Sequence, residues 1–344
     1  MSYELIGITV LWTFLYGYLI VASIDFGAGF FGYYSAVTGH KHLVQGIIER
    51  YLSPVWEVTN VFLIFFIVGI VGFFPDTAYY YGTALLVPGS IAIVLLAIRG
   101  SYYAFSHYGG SGTKDNALYL LLYGASGLFI PASLSTVLTI SEGGYIVKSG
   151  DQVVFLVDRL FRSPYSWSVV LLALVSVLYI SAMFLTYYTD RARDSAALDV
   201  VRIYALGWSI PTILCSLLVF FAIDKHNPVH FAAMIDLSWM FALSLLCFLI
   251  AVWNVWRRRR YGLAFIMVML QFGFAFYGYG AAHLPYILYP YVTIHQNFTS
   301  PTMALALIIA FVLGLLLLIP SLWLLMKLFL FDAAYVQGKV QTRK

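Results

Sequence analysis

Charge is what this sequence lacks. Only 10% of its 344 residues are Asp, Glu, Lys or Arg, while 62% are apolar. A soluble domain carries roughly a quarter charged residues, so a string of soluble domains is excluded and the chain belongs in a bilayer. Cysteine is almost missing: Cys215 and Cys247 both sit in apolar runs, which gives no disulfide framework and no metal-type spacing. No phosphate-binding glycine loop followed by Lys-Ser or Lys-Thr is present, which argues against an ATP-driven pump. The seven histidines, His40, His42, His107, His226, His230, His283 and His295, fall in loops or at the ends of apolar runs. None pair at the internal spacing of a bis-histidine haem site, so the chain is expected to ligate neither haem nor metal itself. The net charge of +4 is spread between apolar segments and gives no nucleic-acid footprint.

What the sequence has is long hydrophobic runs. A spanning helix needs about 20 predominantly apolar residues. Nine runs qualify, at about 5–31, 54–74, 78–98, 117–140, 165–188, 203–223, 234–256, 261–282 and 302–330. They are continuous, without the short alternating stretches of a barrel, so the expected fold is an all-α integral membrane protein, a single polytopic domain over 1–344. With the N terminus outside and the C terminus cytoplasmic, 15 of the 19 Lys and Arg residues lie inside, leaving Lys148, Arg159, Arg162 and Lys225 outside. The first run has no basic segment before it and no small-residue cleavage site after it, and is read as a retained helix. The Arg257–Arg260 run is read as an anchor against anionic headgroups, and the tyrosines at helix ends as interfacial anchors. The longest outer loop, about 141–164, carries Glu142, Gly143, Gly144, Lys148, Asp151, Asp158, Arg159 and Arg162, and is too short to be a catalytic domain.

Two acids interrupt the apolar runs. Asp25 lies in Ile24-Asp25-Phe26-Gly27-Ala28-Gly29, and Glu57 in Ser53-Pro54-Val55-Trp56-Glu57-Val58-Thr59-Asn60. An ionisable side chain at membrane depth is costly unless it faces protein or water, which makes both functional candidates. On the expected topology Asp25 is about 30 Å down the first helix, and Glu57 only about 5 Å into the second. Both are then cytoplasmic-side groups suited to exchanging protons. Asn60, three residues from Glu57 and four from Trp56, can orient a carboxylate or a water. The alternative role is an ion pair with Arg99, expected at the cytoplasmic end of the third helix. Gly27 and Gly29, with Ala28 and Gly32 at small-xxx-small spacing, are read as helix-packing positions.

These residues resemble subunit II of the cytochrome bd family of quinol oxidases. The family's first helix carries Asp-Gly-Phe-Asp-x-Gly-x-Gly, followed after a short basic loop by Pro-x-Trp-Asp-Gly-Asn. The matches are Asp25-Phe26-Gly27-Ala28-Gly29 and Pro54-Val55-Trp56-Glu57-Val58-Thr59-Asn60, with Phe74-Pro75 and Tyr79 at the end of helix two and Arg99 ending helix three. Ala22 replaces the family's first aspartate, Glu57 its Trp-Asp acid, and Val58-Thr59 the following glycine, which marks a divergent branch. The resemblance implies two four-helix bundles plus one peripheral helix. It also implies a haem-bearing subunit I with two haems b and one haem d, quinol as substrate of the complex, and in some members a small single-helix accessory subunit. The expected setting is the bacterial or archaeal cell membrane. The expected role is haem-free support of subunit I in an electrogenic quinol:oxygen oxidoreductase, with Glu57, Asp25, Asn60 and Trp56 at the mouth of a cytoplasmic proton path. The competing expectation is a secondary transporter with the two acids as coupling-ion sites, against which stand their position near one edge and the lack of repeats.

Overall fold

The structure, a computed structural model, describes residues 2–108, 117–150, 152–296 and 298–327, with side chains described except at 49–58, 103, 105–108, 117, 325 and 326. It is helical almost throughout. In chain order come α1 (Tyr3–Val37), α2 (Lys41–Phe73), α3 (Asp76–Ala84), α4 (Leu86–Tyr108) and α5 (Ala117–Ser141). A hairpin of β1 (Ile146–Ser149) and β2 (Gln152–Phe155) and the short α6 (Val157–Arg162) lead to α7 (Pro164–Ala192). Then follow α8 (Ser195–His226), α9 (Pro228–Asp236), α10 (Ser238–Trp256) and α11 (Tyr261–His283). A second small hairpin, β3 (Tyr286–Leu288) with β4 (Val292–Thr293), precedes α12 (Pro301–Met326). Among the described residues seven helices are long and apolar enough to cross a membrane, eight if the pair α3 and α4 counts as one bent span. The chain is thus a multi-pass membrane protein.

Several expected boundaries are corrected. The second helix begins at Lys41, not at Pro54, and α1 runs on to Val37, so only Thr38, Gly39 and His40 connect them. Hydropathy marks what suits lipid, and residues 41–53 are too polar to register. They are nonetheless good helix formers, and Val44, Ile47 and Ile48 recur at helical spacing and are buried in the core. Pro54 removes one backbone donor but does not end the helix. The third expected span is broken, with α3 and α4 meeting at an angle of 78°. Pro88 offers no N–H to the carbonyl of Ala84 and its ring crowds that carbonyl, so the turn cannot continue straight. Helix α4 then extends past the expected end at 98 to Tyr108. Arg99 is therefore its fourteenth residue and lies in its interior, not at its end. The seventh expected run, 234–256, is a short α9 followed by α10 starting at Ser238. The expected end of the last run, at 330, lies outside the described residues.

Helix α1 packs against α2, α5 and α7, and α4 packs on α5. Helix α7, the most buried candidate span, packs against α8 and α11, and α10 packs on α11. Helix α12 lies against α1 and α2. One core cluster joins α1, α7, α8, α10 and α11 around Phe184, Tyr188 and Phe265. Another joins α1, α2 and α12 around Phe14, Phe62 and Phe311, whose rings meet tilted or edge to face. Large apolar side chains such as Ile93, Phe221 and Leu317 remain exposed on the outer faces, as lipid-facing positions require.

Candidate functional site

The first apolar interruption folds around a cation. Arg99 has no exposed surface and Asp25 is 1% exposed. The guanidinium holds the carboxylate with both arms of its fork: Nε donates to Oδ2 at 2.9 Å and Nη2 to Oδ1 at 3.0 Å. Nη2 also donates to the Asp25 carbonyl at 2.6 Å, and Nη1 to the Tyr123 carbonyl at 3.1 Å and Ser126 Oγ at 3.3 Å. The Tyr123 hydroxyl donates to Oδ1 at 3.4 Å, while its ring lies 4.0 Å from the guanidinium carbon and that of Phe26 5.3 Å. Thus α1, α4 and α5 converge on one ion pair whose donors and acceptors are satisfied, the condition under which a buried charge is tolerated.

The glycines of the same motif make the geometry attainable. A methyl group on Gly29 would lie 3.0 Å from Arg99 Nη1 and 3.0 Å from Tyr123 Cε1, in the space the guanidinium needs. One on Gly27 would lie 2.4 Å from Ser181 Cβ, where α7 approaches closely enough for Ser181 Oγ to donate to the Ile24 carbonyl at 3.1 Å. From the other side Gly127 of α5 would meet the Phe26 carbonyl at 2.2 Å. Asp25, Gly27 and Gly29 thus form one joint with Arg99, Tyr123, Ser126, Gly127 and Ser181.

Of the second motif, the side chains of Trp56 and Glu57 lie outside the described residues; Thr59 is buried and Asn60 is partly buried. Because α2 starts at Lys41, position 57 is the seventeenth of its 33 residues, and Asp25 is the twenty-third of 35 in α1. Neither acid is at a helix end. Counted along antiparallel α1 and α2 from Gly39, the two positions are 14 and 18 residues away. That places them within about 6 Å of the same height at 1.5 Å per residue.

A second buried polar cluster, overlooked in the sequence, lies about 28 Å further along α5, 19 residues past Tyr123. Glu142 follows the last residue of α5 and is buried. Gly143, at φ +82° and tight against the Tyr289 carbonyl, turns the chain there. Asn227 Nδ2 donates to Glu142 Oε2 at 2.9 Å, and His230 Nδ1 lies 2.7 Å from Oε1. The Tyr279 hydroxyl donates to the same Oε1, and His283 Nδ1 is 3.5 Å from it. Burial pushes the Glu142 carboxyl up, but the His230 hydrogen bond, the field of the two histidines and the Tyr279 hydroxyl outweigh it and hold the group below the ordinary carboxylate range. Beside it His226 is stacked between Tyr145 and Tyr165, with Nε2 3.1 Å from the Gly143 carbonyl. The sequence showed Glu142 as one polar residue of a loop; its only signal was an acid directly at the end of an apolar run, with histidines at the ends of two others.

The family model described as cytochrome bd terminal oxidase subunit II matches residues 3–329. A relative from Bacillus subtilis (strain 168), named "Putative cytochrome bd menaquinol oxidase subunit II", is 32% identical over 345 residues, covering 97% of each chain. A chain of the solved bd oxidase from Geobacillus thermodenitrificans is 62% identical, with a TM-score of 0.84 over 96% of this chain and 100% of that one.

Proposed function

The chain belongs to the cytochrome bd terminal oxidase subunit II family and so to a quinol oxidase complex, and from that membership we propose that it is the haem-free subunit that supports a haem-bearing subunit I and supplies a cytoplasmic-side proton path. The observation that carries this reading is the motif around Asp25: the residues that resemble the family's first-helix signature enclose Arg99, the residue that resembles its third-helix arginine. The transporter alternative drops out with family membership.

Three of the seven histidines point at groups of this chain, which fits the haem-free reading. His230 faces a carboxylate and a carbonyl, His226 a carbonyl between two tyrosine rings, and His283 the same carboxylate. The two haems b and the haem d, which carry the electrons from quinol to oxygen, are assigned to the partner subunit. The name of the Bacillus subtilis relative favours menaquinol as the quinol. The contacts support the expected nine spans as two groups of four, built on α1, α2, α4 and α5 and on α7, α8, α10 and α11, with α12 peripheral. The cation distribution supports an outside N terminus and a cytoplasmic C terminus.

Within this reading the two acids divide the work. Asp25 is committed to Arg99 and acts as a positioning group, fixing α1 against α4 and α5. Glu57, with Asn60 and Trp56 on the neighbouring helix at similar height, is the group left to exchange protons with water and pass them toward the subunit interface. Glu57→Gln keeps the shape and removes the titrating group. Its expected effect is a fall of about tenfold or more in oxygen consumption, ~1.4 kcal/mol of barrier or more, with haem content unchanged. Unchanged turnover and proton uptake in reconstituted vesicles would remove Glu57 from the path, and loss of haem along with activity would make its role one of assembly.

A further inference from the structure

The cluster at Glu142 takes no part in the reading above, and its geometry is that of a metal site. The ligating atoms offered by Glu142, His230 and His283 all lie within 4.8 Å of one another. Both Nδ1 atoms face one carboxylate oxygen, Oε1, at 2.7 and 3.5 Å. Ligands held ~2.0 Å from a tetrahedral ion stand about 3.3 Å apart, so small side-chain shifts place all three around one centre. The atoms that face away are already held. Asn227 fixes Glu142 Oε2 at 2.9 Å, and His230 Nε2 lies 3.2 Å from the Tyr279 carbonyl. A carbonyl only accepts, so the Tyr279 contact suits a proton on His230 Nε2, and a metal would replace the proton that Nδ1 otherwise shares with Oε1.

His283 is the member the protein leaves unspent. It is 10% exposed; its Nδ1 stands off at 3.5 Å, and its Nε2 is buried with no hydrogen-bond partner among the described residues. The Ile287 carbonyl on that side accepts from the Tyr81 hydroxyl at 3.0 Å and also faces the His283 ring. An imidazole whose Nε2 is buried without a short hydrogen bond, and whose Nδ1 only approaches an already shared carboxylate oxygen, has coordinating capacity to spare.

We propose that Glu142, His230 and His283 bind one divalent first-row transition ion of the zinc type, which ties the ends of α5, α9 and α11 together at the face opposite the Asp25–Arg99 joint. Two imidazole nitrogens and one carboxylate oxygen suit such an ion, whereas Mg2+ and Ca2+ prefer all-oxygen shells. Tyr279, whose hydroxyl already reaches Oε1, stands where a fourth ligand or its hydrogen-bond partner is needed.

The test uses the intact purified oxidase complex, stripped with a chelator and titrated with Zn2+. Expected is one equivalent bound beyond the haem iron, with a raised unfolding midpoint and an X-ray absorption edge showing N and O ligands. In His283→Gln the affinity falls about tenfold or more, and the midpoint no longer responds to zinc. Glu142→Gln is expected to behave likewise; should it fail to assemble, His283→Gln carries the test alone, since the only cluster contact His283 gives up is the long one to Oε1 at 3.5 Å. Equal zinc binding by wild type and His283→Gln, or none by either, overturns the proposal and leaves a hydrogen-bonded histidine–carboxylate cluster in its place.

Discussion

Asp25→Leu is expected to cost about 3–5 kcal/mol and to collapse the yield of assembled complex, because it takes from the buried, charged Arg99 guanidinium the carboxylate that grips both arms of its fork. With no exposed surface, Arg99 has no route by which its head group can reach water. Its remaining partners among the described residues, the Tyr123 and Asp25 carbonyls and Ser126 Oγ, are neutral and cannot replace the carboxylate. Removing both charges is a different perturbation. Asp25→Leu combined with Arg99→Leu abolishes the desolvation cost together with the attraction, and the double variant is expected to recover most of the lost stability. Arg99→Lys should fall between, since one ammonium cannot repeat the two-armed contact with Oδ1 and Oδ2. Unfolding midpoints of the wild type, Asp25→Leu, Arg99→Leu and the double variant measure the coupling directly. Additive losses would show that the pair is not the joint described here. Asp25→Asn that retains its midpoint but loses turnover would return Asp25 to the proton path.

Why the sequence revealed one end of this molecule and not the other follows from what each residue depends on. Asp25 was conspicuous because an acid in a run of apolar residues is improbable by composition alone, and its pairing with Arg99 was foreseeable as an alternative. The interior position of Arg99 was not, because a helix continuing from 98 to Tyr108 leaves no hydropathy signal once the residues turn polar. The same blindness put the start of α2 at Pro54 and so placed Glu57 at a helix end. Residues 41–53 are helical through propensity and through Val44, Ile47 and Ile48 on the core, both silent to a count of apolar residues. Glu142 was hidden for another reason. Its partners come from α9 and α11, 85 to 141 residues away, and only the packing of three helix ends brings them together. No local pattern encodes such a site.

Gly127→Ala is expected to be nearly as damaging as loss of the ion pair, although it adds a single methyl group. That carbon would arrive 2.2 Å from the Phe26 carbonyl oxygen and 3.4 Å from its Cα. The obstacle is backbone, so no rotamer change relieves it; α5 must move away from α1. The shift would pass straight to the neighbouring residues, because Tyr123 and Ser126 on α5 hold Arg99, and Asp25 and Phe26 on α1 enclose it. Overpacking in a core costs roughly 1–3 kcal/mol, and a backbone contact coupled to a buried charge belongs at about the upper end of that range. Gly207→Ala supplies the control: Gly207 lies in α8 with nothing within 4 Å of an added methyl, so that substitution is expected to leave the midpoint unchanged or raise it slightly. Destabilisation of both variants alike would point to glycine's general role in helix flexibility. Loss confined to Gly127→Ala, with the Asp25→Leu and Gly127→Ala effects less than additive, would place the close approach of α1 and α5 and the Arg99 pair in one cooperative joint.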